Sequence, residues 1–540
     1  MRTRLLFAKS INRIAFATIF LFVPLWVSAQ DYFYYSNQQT QVAQAQEAPF
    51  ITVWKTDNRA TWRDEHLSGD DQIRIPGIGD EYTIEWEKVE RVNDSWQATD
   101  DSLRGVGTGS DTITITFPEP GHYRVKISGD FRQIRFKGNP LDIGFGHEYG
   151  DAEKLIEIEQ WGDIVWSTME SAFYRAKNLQ ITSIDAPDLS KVSSMNEMFY
   201  YAASVNADLN HWDVGNVTNM NSMFSYASSF NGNLSGWDVS NVTDMRAMFN
   251  FATSFNGDLN GWDVSKVEDM LSMFRYATSF NGNVSSWDVG NVLNMHGMFA
   301  SASLFNGDLS SWDVGNVKYM SFMFARTESF NGDLSRWDVS NVISMQAMFG
   351  YYSAFNGDLS NWDVSNVTNM YTMLSGSALS VANYDTLLMG WSERELQHGV
   401  TLGADNLSYC NAGEQRGHII REFGWSITDG GLAEGCDPVS VDNPDESPVE
   451  YTLYQNYPNP FNPVTQIPFE LPGQSRVRLA VYDLLGRQVA VLTNRSYEAG
   501  RHEVRWDGSS SASGIYIIRM LVVTDQGLQK HFNQQVTLIK

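Results

Sequence analysis

The chain has 540 residues, 42% of them hydrophobic and 13% aromatic, and a formal net charge of −26. Such length and apolar content are enough for several packed domains, which excludes general disorder. The strongly negative field excludes phosphate-backbone binding, and nucleic acid is not expected as a partner.

The first 29 residues read as a secretory signal. Arg2, Arg4, Lys9 and Arg13 make a basic start, Ile14 to Val27 an apolar run, and Val27-Ser28-Ala29 a small-residue exit with cleavage expected between Ala29 and Gln30. The run is about 14 residues and holds Pro24, short of the roughly 20 needed to span a bilayer, so the anchor reading is the weaker one. No later stretch is apolar enough to span, and no transmembrane segment is expected after signal removal. Residues 30–48, rich in Gln and Ala without apolar period, read as a linker.

From residue 49 to 130, short alternating runs are broken by Gly, Asp and Pro: Ile51-Val53, Ile73-Ile75, Tyr82-Ile84-Trp86, Ile113-Ile115-Phe117 and Tyr123-Val125-Ile127. The pattern predicts a small β-sandwich. Pro120-Gly121-His122-Tyr123-Arg124-Val125 resembles the end of a polycystic-kidney-disease-type immunoglobulin-like domain, although Trp86-Glu87-Lys88 lacks the Gly-Asp-Gly turn usual after that family's Trp. Residues 131–187 carry Ile134-Phe136 and Leu155-Ile156-Ile158 and are expected to form an N-terminal cap on residues 188–374.

Residues 188–374 repeat a 25-residue unit, marked by Trp212, Trp237, Trp262, Trp287, Trp312, Trp337 and Trp362, each followed by Asp-Val. A fixed period of this size predicts a solenoid. In Leu234-Ser-Gly-Trp237-Asp-Val239-Ser-Asn-Val242 the apolar spacing predicts a short strand with Trp and Val inward and Asp238 outward. Val242, Met245, Met248, Phe249 and Ala252 then fall at helical spacings and predict a helix, and Phe255-Asn256-Gly257 a turn that tolerates positive φ. These residues carry a resemblance. The pattern Met-x-x-Met-Phe-x-x-Ala-x-x-Phe-Asn-Gly-Asp-Leu-Ser-x-Trp-Asp-Val-Ser-Asn-Val resembles BspA-like surface-protein repeats, a family of unknown biochemical function found on bacterial surfaces and in mycoplasma lipoproteins.

Residues 375–436 depart from the period. Tyr384, Leu387, Leu388 and Trp391, then Ile419, Ile420 and Phe423, predict two helices that shield the last layer of the stack. Cys410 and Cys436, the only cysteines, both fall there and in an exported chain are expected to form a disulfide worth about 3.5 kcal/mol in the chain-entropy treatment. Zinc is not expected, since neither has a partner ligand at the right spacing.

Residues 437–450 are a Pro-, Asp- and Glu-rich linker. Beyond it, Tyr451-Thr-Leu453-Tyr-Gln455-Asn456-Tyr457-Pro458-Asn459-Pro460-Phe461-Asn462-Pro463, Val481-Tyr482-Asp483, Leu485-Gly486-Arg487 and Gly514-Ile515-Tyr516 resemble type A C-terminal sorting domains of the type IX secretion system. The resemblance implies that residues 451–540 engage that machinery for passage across the outer membrane, and that the domain is then removed or exchanged for an anchor. Alternation at Ile467-Phe469-Leu471, Val477-Leu479-Val481, Val489-Val491, Val504-Trp506 and Tyr516-Ile518-Met520 predicts a seven-strand immunoglobulin-like sandwich.

No catalytic constellation emerges: nine scattered histidines, no His-Glu-x-x-His and no Gly-x-Ser-x-Gly, so no catalytic residue and no cofactor are assigned. Gly105-Val-Gly107-Thr-Gly109 leads into a strand run and reads as a hairpin turn rather than a phosphate loop. The outward row Asp213, Asp238, Asp263, Asp288, Asp313, Asp338 and Asp363 sets like charges about 5 Å apart, costing roughly 0.8 kcal/mol per pair in water. Either a cation such as Ca²⁺ or local hydrogen bonds must offset this, and local caps are the preferred reading. The row Asn231, Asn256, Asn281, Asn306, Asn331 and Asn356 reads as turn-forming, and the Trp row as core. Positions that vary from unit to unit are better contact candidates: Tyr201, Tyr226, Phe251 and Tyr276 give way to Ser301 and Arg326.

The fold expected is multidomain, β-rich α/β: an N-terminal β-sandwich, a leucine-rich-repeat-like solenoid of strand-helix units, and a C-terminal immunoglobulin-like sandwich. The function expected is a non-catalytic secreted or cell-surface protein that presents its repeats to a protein or glycan ligand. An exported polysaccharide or peptide hydrolase and a purely structural surface-layer protein are the alternatives.

Overall fold

A computed structural model describes residues 47–58, 68–99, 103–137, 151–436, 450–456, 458–524 and 527–539. The expected signal, its Ala29/Gln30 cleavage site and nearly all of both linkers lie outside these residues.

The chain first lays down β1 (Phe50–Lys55), β2 (Gln72–Val92), β3 (Ser95–Ala98), β4 (Arg104–Gly109), β5 (Thr112–Thr116), β6 (His122–Ile134), β7 (Leu155–Gln160) and β8 (Gln180–Ile181). They make one eight-stranded sheet in the order β3-β2-β6-β1-β7-β8, with β4 and β5 also on β2. Two of the predicted runs, Ile73-Ile75 and Tyr82-Ile84-Trp86, are halves of β2, which shifts register at Ile78/Gly79 and Asp80/Thr83 and so curls the sheet. The glycines expected to make a hairpin turn are strand β4 instead. A Cβ on Gly105 would sit 2.4 Å from the Trp86 ring, and one on Gly109 2.5 Å from the Tyr82 ring.

The expected separation at residue 130 does not hold. Strand β7, placed by sequence in a cap, pairs with the edge of β1 and runs parallel to β8. Phe50 packs on Trp161 and Trp166 with ring centroids 5.6 and 5.2 Å apart. An unpaired β1 edge would leave backbone groups without partners, and β7 supplies them. One continuous hydrophobic core runs from Phe50 to Trp425.

Between β8 and the first helix the strand-helix units expected from periodicity are absent: the described backbone there makes turns and isolated parallel bridges. Bridges join Ser194 to Asn219, Asn219 to Asp244, and onward every 25 residues to Asn369. The physical reason is visible in one unit. The amides of Met245, Ala247, Phe249 and Phe251 donate to the carbonyls of Asp269, Leu271, Met273 and Arg275 in the next unit, at 2.8–3.1 Å. Those of Met248, Asn250 and Ala252 close three-residue turns on Met245, Ala247 and Phe249. Ala247 and Phe251 take left-handed φ of 51° and 59°, which no right-handed helix admits. Backbone pairing thus runs between units.

Side chains keep the same register. Phe199, Phe224, Phe249, Phe274, Phe299, Phe324 and Phe349 stack at 5.5–5.8 Å between neighbours. The indoles of Trp262, Trp287 and Trp312 lie 6.4 and 6.2 Å apart, inward as expected. Each buried Trp from 237 to 362 donates Nε1–H to a carbonyl one unit back, as Trp287 does to Leu259 at 2.9 Å.

The stack ends on α1 (Val381–Ser392), β9 (Thr401–Ala404), α2 (Gly413–Phe423) and β10 (Ser426–Asp429), with both predicted helices in place. Trp391 of α1 donates to Leu359 O at 3.1 Å, so the cap continues the Trp ladder. Buried Asp385 accepts the amides of Cys410, Asn411 and Ala412 at 2.9–3.0 Å, satisfying the chain that enters α2. Cys410 and Cys436 are joined as a disulfide. Replacing both with Ser should weaken the cap by about 3 kcal/mol. Hydrogen exchange checks this: amides of α2 should speed up while those of residues 212–312 stay unchanged.

Residues 452–538 form β11 (Thr452–Leu453), β12 (Val464–Leu471), β13 (Ser475–Asp483), β14 (Gln488–Tyr497), β15 (Gly500–Asp507), β16 (Gly514–Thr524) and β17 (Gln529–Leu538). Sheets β11-β12-β15 and β14-β13-β16-β17 enclose a second core around Ile467, Phe469, Leu479, Val481, Trp506 and Ile518.

Candidate functional site

Among the described residues no group of three or more His, Cys, Asp and Glu side chains is placed to hold a metal ion. The acidic row has local work. One oxygen of Asp213, Asp238, Asp263, Asp288, Asp313, Asp338 and Asp363 accepts the amide two residues on, at 3.0–3.2 Å. Hydrogen bonds from the hydroxyl and amide of Ser240 hold Asp238 below the usual carboxylate range, against smaller repulsion from Asp263. Ser265 and Ser340 do the same for Asp263 and Asp338. These caps offset the charge repulsion that the spacing creates.

The caps make stability depend on pH. A carboxylate whose folded pKa is depressed contributes stability above its unfolded pKa, near 3.9 for Asp, and the contribution is lost as pH falls through the folded value. Asp308 and Asp333 add to the set, while burial raises Asp269 and gives it the opposite sign. The urea midpoint read by Trp fluorescence should therefore hold down to about pH 4 and drop below it.

The Asn row is not turn-forming, and neither Asn256 nor Gly257 has positive φ. Each Asn side chain reaches across units: Asn231 Oδ1 accepts from Asn256 N at 2.9 Å, Asn256 from Asn281 at 2.8 Å, and the row ends on Ser380 N at 2.7 Å. A residue that bonds its copy 25 positions away looks in sequence like any turn Asn.

The contact candidates form a second ladder, outside the core. Tyr201, Tyr226, Phe251 and Tyr276 stack ring on ring at 5.4, 4.5 and 4.2 Å. All four hold φ between 57° and 61°, a region aromatic residues rarely occupy and which costs of order 1 kcal/mol apiece. Tyr201 is 39% exposed and the others are half-buried, so all four remain partly open to solvent.

The ladder is interrupted by Ser301 and Arg326 and resumes at Tyr351, all three with the same left-handed backbone. At the interruption lies an open cleft of about 260 Å³. It is lined by buried Gly297, Ala300 and Ala325, by Ser301 and His296, by the rings of Tyr276, Phe322 and Tyr351, and by exposed Arg275 and Arg326. The guanidinium carbons of Arg275 and Arg326 lie 5.3 and 5.7 Å from the Tyr276 and Tyr351 ring centres. The sequence marks Ser301 and Arg326 but not the cleft, because its lining comes from four successive units.

Residues 167–287 and 272–386 match a family described as Mycoplasma protein of unknown function, DUF285. Residues 455–532 match the secretion system C-terminal sorting domain. The chain thus carries a DUF285 repeat region and a type IX sorting tail. Neither the curated proteins nor the solved structures contain a match. The sorting tail marks the DUF285 repeats as cargo for export, secreted or held at the outer surface. Among the described residues no helix is long and apolar enough to cross a membrane.

Proposed function

We propose that this is a non-catalytic adhesion or ligand-binding protein whose DUF285 units form a solenoid and present their outer aromatic ladder to a glycan or protein at the cell exterior. The observation that carries this reading is the ladder itself. Tyr201, Tyr226, Phe251 and Tyr276 contribute little to the central Trp and Phe stacks, yet they occupy strained backbone and remain partly exposed. The left-handed backbone belongs to the fold, since Ser301 and Arg326 share it; what the core does not need is an aromatic ring at that costly, partly exposed position in four successive units, and such a choice is characteristic of recognition surfaces. Aromatic faces and edges also bind sugars and peptides at low entropic cost. The sorting tail supports the location, and the tail's own immunoglobulin-like form accords with its seven strands in two sheets.

The test is a glycan and matrix-protein array probed with the chain lacking its signal, with and without Ca²⁺. Capture that falls when Tyr226 and Phe251 are both changed to Ser supports the reading, and silence across the array overturns it. Capture that requires Ca²⁺ would return the acidic row to consideration as a metal site.

A further inference from the structure

The cleft at the break in the outer ladder is chemically unlike the rest of the surface. On a chain of net charge −26 it gathers two arginines, and among the described residues no carboxylate lies within ion-pairing distance of either guanidinium. They lie instead against the faces of Tyr276 and Tyr351, contacts far weaker than a bidentate carboxylate would give. Tyr276 is covered by Phe251 on the ladder side and by the Arg275 guanidinium on the other, where no ring stands because Ser301 replaces the aromatic residue of the preceding units. Burial, then the charge of Arg275, lowers the pKa of His296, so at neutral pH its ring is uncharged and offers one donor and one acceptor. The volume of about 260 Å³ lies below the usual range for drug-sized ligands and suits a unit of one sugar ring.

Resting on the adhesion reading above, we propose that this cleft is a subsite for a uronic acid residue of an acidic polysaccharide. Arg275 leaves the Tyr276 face to hold the carboxylate together with Arg326, the C–H face of the pyranose takes its place on Tyr276, and the ring hydroxyls meet His296. An acidic peptide would draw Arg275 off Tyr276 but leave the vacated face unused, and a neutral sugar would compete for the face but leave the arginines without a carboxylate. Both arginines are exposed and the cleft is open to solvent, so an internal residue of a long chain can enter without a free end.

The experiment is calorimetric titration of the full chain lacking its signal with tetragalacturonate, with neutral galactotetraose and with tetraglutamate, at low and at high salt. The acidic saccharide should bind at least ~10-fold more tightly than either comparison, as expected for loss of a charge-assisted pair or of the stacking face, and its affinity should fall with salt. Ser301→Tyr restores the missing ladder ring and fills the cleft in a backbone conformation that Tyr226 and Tyr276 already hold; Arg326→Gln removes one charge. Each should weaken the acidic tetramer by ~10-fold or more with unchanged circular dichroism and Trp fluorescence. Equal binding by Ser301→Tyr, or equal or tighter binding of either comparison compound, overturns the assignment. If the acidic tetramer fails while the array still shows Tyr226-dependent capture, the uronate assignment falls and the adhesion reading stands; if the array is silent as well, both fall.

Discussion

Trp287→Ala is expected to remove about 3–5 kcal/mol from the repeat region, the usual cost of emptying a fully packed aromatic site. The indole is 3% exposed, lies between Trp262 and Trp312, and leans on Phe274 at 6.3 Å. Its loss also removes one of the two donors to the Leu259 carbonyl, the Nε1–H at 2.9 Å, leaving the Trp262 amide at 3.0 Å. Each unit contacts only its neighbours, so the damage should divide the stack: the units before and after residue 287 should unfold in separate steps where the parent region unfolds in one. Urea titration monitored by the remaining tryptophans reads both effects. Tyr276→Ala is the control. That ring belongs to the outer ladder, and its removal relieves some backbone strain, so stability should change by less than about 1 kcal/mol. Comparable losses from both variants would mean that the core and the outer ladder have been wrongly separated.

Deleting residues 451–540 is expected to abolish arrival at the cell exterior while leaving the repeats folded. The tail has its own hydrophobic core, and its strands pair only with one another among the described elements. Removing it should therefore take nothing from the core that runs from Phe50 to Trp425. The check is fractionation of cells that produce the truncated chain, with external protease and repeat-directed antibody as readouts. The truncated chain should be protected inside the outer membrane, and the full chain digested or released. Surface arrival without the tail would show that another part of the chain carries the export signal.

The burial of the repeats was legible in the sequence because Trp, Met and Phe recur at a fixed offset, and any stacked arrangement of identical units must bury them. The backbone that carries them was not. Val242, Met245, Met248, Phe249 and Ala252 have helical spacing, but successive three-residue turns give the same spacing. The feature that separates the two is left-handed φ at Ala247 and Phe251, and neither residue type advertises it. Gly297, at the position equivalent to Ala247, is the one residue in the row whose chemistry hints at that conformation. The division of the N-terminal half was misread for a related reason. Alternation in Leu155-Ile156-Ile158 shows that a strand exists, not which edge it covers, and here it covers β1. In the tail, β17 lacked a clear signal because its inward residues are interleaved with Lys, His and Gln.

The candidate site divides in the same way. Tyr201, Tyr226, Phe251 and Tyr276 were found because variation within a constant scaffold shows which positions the core leaves free. The cleft depends on which rings are missing as much as on which are present: Ser301 is informative only beside Tyr276, and Arg275 and Phe322 belong to different units. Such a site is assembled by the 25-residue register and has no linear motif.

Hydrogen exchange across residues 188–374 tests that register most directly. If the units pair through their backbones, the amides of Met245, Ala247, Phe249 and Phe251 and their copies should be strongly protected and exchange together, in a region without helix or extended strand. Exchange of these amides at rates typical of open loops, or protection that differs unit by unit as in separate small domains, would contradict the stacked arrangement on which the proposed surface depends.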